Sequence, residues 1–217
     1  SRVMDPYVLY GDRRSGSCTA EMALAEIGAP VELRPVPLEG DHQLSDEYRR
    51  INPMGRVPAM LLPDGTVLTE SLAILLTLAD RHPEAALLPP PGDPARARAL
   101  RWMALAAGEF YPHVTRVDYP ERFSADPSHA LAIRERAREM GREIWLLVER
   151  EARPDPFILG SRFSAADIYL SVLTRWMGGK DWIPAHCPRL EALTRAVAAR
   201  PGAGPVWRKH FQPGGAG

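Results

Sequence analysis

Apolar positions along the chain change period several times, and each change marks an element. Tyr7-Val8-Leu9-Tyr10 is a β-branched and aromatic run closed by Gly11-Asp12, the pattern of a short strand. From Cys18 to Ile27 the apolar residues Ala20, Met22, Ala23, Leu24 and Ile27 take helical spacing, and Gly28 with Pro30 stops them. Val31 to Val36 predicts a second strand. Two shorter strands near 58–62 and 66–68 flank the Asp64-Gly65 turn, and Leu72 to Ala79 is an apolar helix opened by Glu70-Ser71.

A helix joining two strands makes a βαβ unit whose crossover is right-handed and whose strands are parallel. The predicted order β-α-β-α-β-β-α is that of a thioredoxin-like domain. Leu87-Leu88-Pro89-Pro90-Pro91-Gly92-Asp93 is the strongest composition shift, and proline-rich linkers are semi-rigid spacers. Beyond it the pattern is helical over about 94–118, 128–152, 164–178 and 188–200, with breaks at Pro120, Pro127, Pro154-Asp155-Pro156 and Pro184. The fold class is therefore an α/β thioredoxin-like domain (1–86), a linker (87–93) and an all-α domain (94–217). Ser164-x-x-Asp167 before Ile168 has the form of a capping box, worth about 1 kcal/mol. The Gly-rich end, Pro201 to Pro205 and Gln212 to Gly217, predicts flexibility, with Trp207 and Phe211 available to pack on a surface.

Charge narrows the partners. Lys plus Arg and Asp plus Glu each number 27, so the net charge is zero and nothing favours a nucleic acid. The arginines between Ala130 and Glu139 alternate with glutamates, as on a solvated helix face. Cys18 and Cys187 are the only cysteines, too few for a disulfide framework and without ligand spacing, which fits a reducing cytoplasm. The histidines form no ligand set, so no metal is expected. No apolar run reaches the roughly 18 residues of a membrane span, and no export signal opens the chain.

The chemistry concentrates in Asn52-Pro53-Met54-Gly55-Arg56-Val57-Pro58 and Leu68-Thr69-Glu70-Ser71. A proline at a strand entry leaves the preceding main chain available to pair with an extended peptide. At the following helix start, free N–H groups attract a carboxylate while the Glu70 carboxylate accepts from an ammonium. One spot thus receives both charges of an α-amino acid, as in a small zwitterionic peptide. The plainer reading is that Thr69 or Ser71 caps the helix and Pro58 marks an ordinary strand boundary.

Taken together, the strand, the Ser/Cys loop, Asn-Pro-x-Gly-Arg-Val-Pro and Asp-Gly-x-x-Leu-Thr-Glu-Ser resemble the amino-terminal half of soluble glutathione transferases, and Phe163 to Ile168 resembles that family's capping segment. The resemblance covers nearly the whole chain and is to bacterial members. It implies a cytoplasmic homodimer with the active site near the interface, which joins the thiolate of glutathione, its co-substrate, to a small apolar electrophile. By the same resemblance Val57 and Pro58 present main chain to the cysteinyl unit, Glu70 and Ser71 hold the γ-glutamyl group, and Arg56 and His42 serve the glycyl carboxylate. The thiolate-stabilising group is one of Ser15, Ser17 and Cys18; with Leu24, Glu26 and Gly28 in register with beta-class members, their catalytic cysteine falls on Gly16. Tyr111, Trp102 and His113 are the candidates for the electrophile side, with core packing the alternative for Trp102. Other readings are a non-catalytic interaction module, a glutathione-dependent isomerase, and, if Cys18 is the working residue, a thiol redox enzyme.

Overall fold

The computed structural model describes residues 4–212; Ser1-Arg2-Val3 and the end of the expected flexible tail, 213–217, lie outside the described residues. Four strands, β1 (Tyr7–Gly11), β2 (Val31–Pro35), β3 (Ala59–Leu61) and β4 (Val67–Thr69), form one sheet in the order β2-β1-β3-β4. β1 and β2 are parallel, Leu9 opposite Leu33, as the crossover through α1 (Ser17–Ile27) requires. β3 runs antiparallel to β1, Leu9 opposite Met60, and β4 closes a hairpin on it, Met60 opposite Leu68.

Side chains alternate across a strand, so Leu9 and Met60 share one face and Tyr10 and Ala59 the other. α1 packs against β1 and buries Met22, Ala23 and Leu24. The other face packs Tyr10 and Ala59 with Val36, Tyr48, Ile51 and Val57, Tyr48 coming from the short α2 (Asp46–Arg49). α3 (Ser71–Arg81) packs beside α1 and buries Ile74, Leu75 and Leu78. Its end is fixed to the sheet by a buried 2.7 Å hydrogen bond between Tyr7 Oη and His82 Nε2. This is the expected thioredoxin-like arrangement.

The chain falls into two compact units, residues 4–88 with 197–212, and residues 89–196. The second contributes no strand to the sheet and is built from α4 (Pro94–Leu105), α5 (Tyr111–Asp118), α6 (Ala130–Glu151), α7 (Ala165–Leu173), α8 (Gly179–His186) and α9 (Pro188–Ala198), whose last two residues belong to the first unit. Two isolated bridges, Phe157 with Gly160 and Leu159 with Arg162, lie in the loop before α7. α4 and α5 are the one helix expected over 94–118, interrupted by a wide π turn at Ala106–Phe110. The cause is Pro112, which lacks an amide to donate back and whose ring needs room against the preceding turn. α7 ends five residues earlier than the pattern suggests, and the chain restarts as α8, which continues through Pro184.

Two carboxylates knit this helical unit from within. Glu149 on α6 accepts the amides of Arg189 (2.8 Å) and Leu190 (2.9 Å), capping the start of α9. Asp167, fully buried, accepts from Ser164 N at 2.8 Å, the expected half of a capping box, and from Ile158 N at 2.8 Å, which anchors the loop before it.

The end of the chain corrects the expectation. It is not a flexible tail of the helical domain: α10 (Ala203–Phe211) packs on α1, buries Trp207 and belongs to the first unit. Pro205 sits in the first turn, where no intrahelical amide bond is needed. At Gly202 a Cβ would lie 2.8 Å from Glu26 Oε2, so the glycine is a close approach to α1. Arg200 closes that approach with a 2.6 Å bond from Nε to Glu26 Oε1.

Asp167→Ala strands two buried amides, each costing ~1–3 kcal/mol, so unfolding by urea should show a loss of about 3 kcal/mol, well above a simple cap. A loss under about 1 kcal/mol would show that the Ile158 bond contributes nothing.

Candidate functional site

The β1–α1 loop is built around Asp12. Its carboxylate accepts the amides of Arg13 (2.8 Å) and Leu38 (3.0 Å), which joins the loop to the segment after β2. Its carbonyl accepts from Ser15 Oγ at 2.8 Å and Ser17 Oγ at 3.1 Å, and the two hydroxyls lie 2.8 Å apart. Ser15 Oγ also receives the Ser17 amide at 3.2 Å and the Ser15 carbonyl receives the Cys18 amide at 3.0 Å, so Ser15 stands at the positive end of α1, one residue before its N-cap Gly16. Gly11 makes this possible: a Cβ there would stand 2.1 Å from Ser17 Oγ. The sequence marked Asp12 only as a strand end; an acidic residue at the exit of a strand, three residues before a serine, is the signal of such a turn.

Two hydroxyls thus share one acceptor. When Ser15 turns its proton toward a ligand, Ser17 keeps the Asp12 carbonyl satisfied, and no buried group is left without a partner. Ser17 also lines a cavity of about 460 Å³ bounded by β1, β2, α1 and α10; Ser15 does not.

Cys18 has a different environment. Its side chain is fully buried, and burial together with the Glu21 carboxylate pushes its thiol up to about 12. A thiol in that state is a packing group. Cys187, also buried, is pushed up to about 12 by burial and Glu149.

The remaining peptide-binding candidates lie in the same unit. The Val57-Pro58 bond is cis, and Pro58 immediately precedes β3. The loop before it is held by the Arg56 carbonyl, which accepts Tyr48 Oη at 2.6 Å and Asn52 Nδ2 at 2.8 Å, so the exposed Arg56 side chain projects from a fixed main chain. Glu70 is an exposed non-glycine residue at φ +72°, a conformation that costs ~1–3 kcal/mol and clusters at ligand sites. It is the N-cap of α3 but does not cap it with its side chain; the neighbouring Ser71 is buried. His42, exposed, opens a single 3-10 turn after Asp41.

Of the residues expected on the electrophile side, Trp102 and His113 are buried within the helical unit, Trp102 under the Arg101 guanidinium. Burial, with Arg116 nearby, lowers the His113 pKa below its ordinary value. Tyr111, half-buried at the end of the π turn, meets Trp176 edge-on at 5.0 Å. Among the described residues no group of three or more His, Cys, Asp or Glu side chains is arranged to hold a metal ion, and no helix is long and apolar enough to cross a membrane.

Both thiols are buried and pushed up to about 12, so neither is a ready thiolate at pH 8. Aromatic disulfide reagents should therefore find no reactive thiol in the folded protein and two after denaturation. Rapid labelling that maps to Cys18 in the native protein would return it to consideration.

The glutathione S-transferase N-terminal domain model matches residues 17–81, and the C-terminal domain model matches 132–212. Glutathione S-transferase GstA of Escherichia coli O157:H7 is 32% identical over 194 residues, 87% of this chain and 92% of that protein. A maleylacetoacetate isomerase of Dictyostelium discoideum is 38% identical over 109 residues, 48% of each chain. A glutathione transferase homologue from Sulfitobacter, solved with bound glutathione, shares the fold with a TM-score of 0.87 at 29% identity, over 96% of this chain and 99% of that one. Matched in both domains, and to a relative across nine-tenths of that relative's length, the chain belongs to the glutathione S-transferase family.

Proposed function

We propose that the protein binds reduced glutathione on its first unit and transfers the thiolate to a small apolar electrophile. The observation that carries this reading is Glu70, an exposed carboxylate on a strained main chain at the N-terminus of α3. The carboxylate meets the ammonium of the γ-glutamyl group, while the amides at the helix start and Ser71 meet its carboxylate. Val57 pairs its main chain with the cysteinyl unit, and Arg56 with His42 balances the glycyl carboxylate. The thiol then lies at the start of α1.

There Ser15 donates to sulfur. A free thiol with a pKa of about 8.5 is mostly protonated at neutral pH, and a charge-assisted hydrogen bond with the helix dipole favours the anion. The thiolate attacks the electrophilic carbon as a leaving group departs or as the adduct takes up a proton, without a covalent enzyme intermediate. Electrophile choice falls to the helical unit, with Tyr111 its most available polar aromatic. The working form in this reading is a cytoplasmic homodimer.

A second reading, a glutathione-dependent isomerase, is favoured by the isomerase relative that matches half of the chain. It uses the same glutathione residues and differs in expelling glutathione after the substrate rearranges. Product analysis separates the two, since only conjugation consumes glutathione.

Calorimetric titration with reduced glutathione tests the site directly: one saturable site per chain is expected, and no binding at millimolar ligand would favour a non-catalytic interaction module. Glu70→Ala should weaken that binding by ~1–3 kcal/mol, and unchanged affinity would remove the γ-glutamyl assignment.

Ser15→Ala should raise the pKa of the bound thiol by about one to two pH units and lower turnover, since each unit is ~1.36 kcal/mol. Ser17→Ala should change both less, and the reverse ranking would give Ser17 the role.

A further inference from the structure

Glu21, on the second turn of α1, is buried, and its carboxylate takes two donors from α10, Lys209 Nζ and His210 Nε2, the latter at 2.8 Å. Burial alone would raise the Glu21 pKa, but the hydrogen bonds from His210 and Lys209 outweigh it and hold the carboxyl below its ordinary value. On the other side of the same imidazole, Nδ1 accepts the main-chain amide of Arg14 at 3.1 Å. An amide can only donate, so Nδ1 is bare and the proton resides on Nε2, facing Glu21. The buried ring is thereby fixed in one tautomer and one orientation.

Arg14 is the residue before Ser15, and its φ of +63° is one that a side chain resists. Its amide bond to His210 opposes relaxation of that turn. Arg13 adds a second tie, its guanidinium donating to the Lys209 carbonyl at 3.4 Å. Every member of this chain of bonds lies in the first unit.

We propose that His210 is a positioning residue for thiolate stabilisation: through Glu21–His210–Arg14, α10 holds the main chain of the β1–α1 loop in the conformation that directs the Ser15 hydroxyl at bound sulfur. The inference rests on the reading that glutathione binds with its thiol at Ser15. It assigns to a helix far along the chain the setting of a hydroxyl it does not touch. A histidine suits the task because it offers an acceptor and a donor on opposite edges of one rigid ring. Asparagine reproduces the Nδ1 edge alone, and glutamine the Nε2 edge alone.

That division supplies the test. His210→Gln keeps the donor to Glu21 and gives up the Arg14 amide; His210→Asn keeps the Arg14 amide and leaves Glu21 to Lys209. In His210→Gln the Arg14 amide should lose at least about tenfold in hydrogen-exchange protection, the bound thiol's pKa should rise by about one unit, and kcat should fall about tenfold while glutathione affinity stays within about threefold. His210→Asn should restore all of these to within about threefold of the parent. His210→Ala, which gives up both edges and leaves Glu21 to Lys209, should behave like His210→Gln and serves if that variant does not fold.

Equal values in His210→Gln and His210→Asn overturn the proposal, as does a loss of Arg14 protection that leaves the thiol pKa unmoved. Absence of glutathione binding by the parent protein overturns the underlying reading and the positioning role with it; that case is recognised because the exchange contrast between the two variants persists.

Discussion

One main-chain carbonyl, that of Asp12, organises the first unit's chemistry. Two hydroxyls and a backbone amide converge on it, while the carboxylate of the same residue ties the loop to the start of the segment leading to α2. β1 delivers that carbonyl to the end of the sheet, Gly11 lets α1 start against it, and Ser15 and Ser17 compete for it. The competition is useful because it is degenerate: one proton suffices for the carbonyl, so the other is free to be spent on a ligand without opening the fold. A single serine in this loop would have to break a buried bond in order to act.

The two most informative backbone positions, Arg14 and Glu70, are both non-glycine residues with positive φ, and each stands at the approach to a long helix of the first unit. Conformations of this kind persist only where their surroundings over-determine them. For Arg14 the restraint is visible in His210. For Glu70 the first amide bond of α3, Ile74 N to the Glu70 carbonyl at 3.0 Å, fixes the carbonyl while leaving the side chain outside. In the proposed binding mode, helix N-termini thus face the peptide twice, at positions suited to the thiolate and to the γ-glutamyl carboxylate.

Much of the fold was legible because its signals are local. Period-two and helical spacing located the four strands, α1 and α3, and the proline punctuation located most of the helical unit. The Asn52–Pro58 and Leu68–Ser71 motifs were equally readable, since turn geometry and helix starts depend on adjacent residues. The last helix was not, because Pro201-Gly202-Ala203-Gly204-Pro205 has the composition of a linker, and what makes it a helix start is Glu26 and Ala198 pressed against its glycines. Nor can spacing reveal that Glu21 and His210, 189 positions apart, share a hydrogen bond. Among Ser15, Ser17 and Cys18 the sequence offered three similar side chains in four positions; all three are buried, and what separates them is that the two serine hydroxyls share the Asp12 carbonyl while burial and Glu21 push the thiol up. Trp102 and Tyr111 are both aromatics at helical spacing, core packing was already the alternative for Trp102, and the structure buries it while leaving Tyr111 half-buried.

The return of α10 to the first unit has a consequence for the order in which the molecule is made. The helical unit, 89–196, is one uninterrupted stretch, so a chain emerging from the ribosome holds all of it before residue 203 is synthesised. The sheet unit, though begun first, lacks the helix that covers α1 and steadies the serine loop until the final residues of α10 emerge. In order of synthesis, then, the whole stretch that forms the second unit precedes the helix that closes the first.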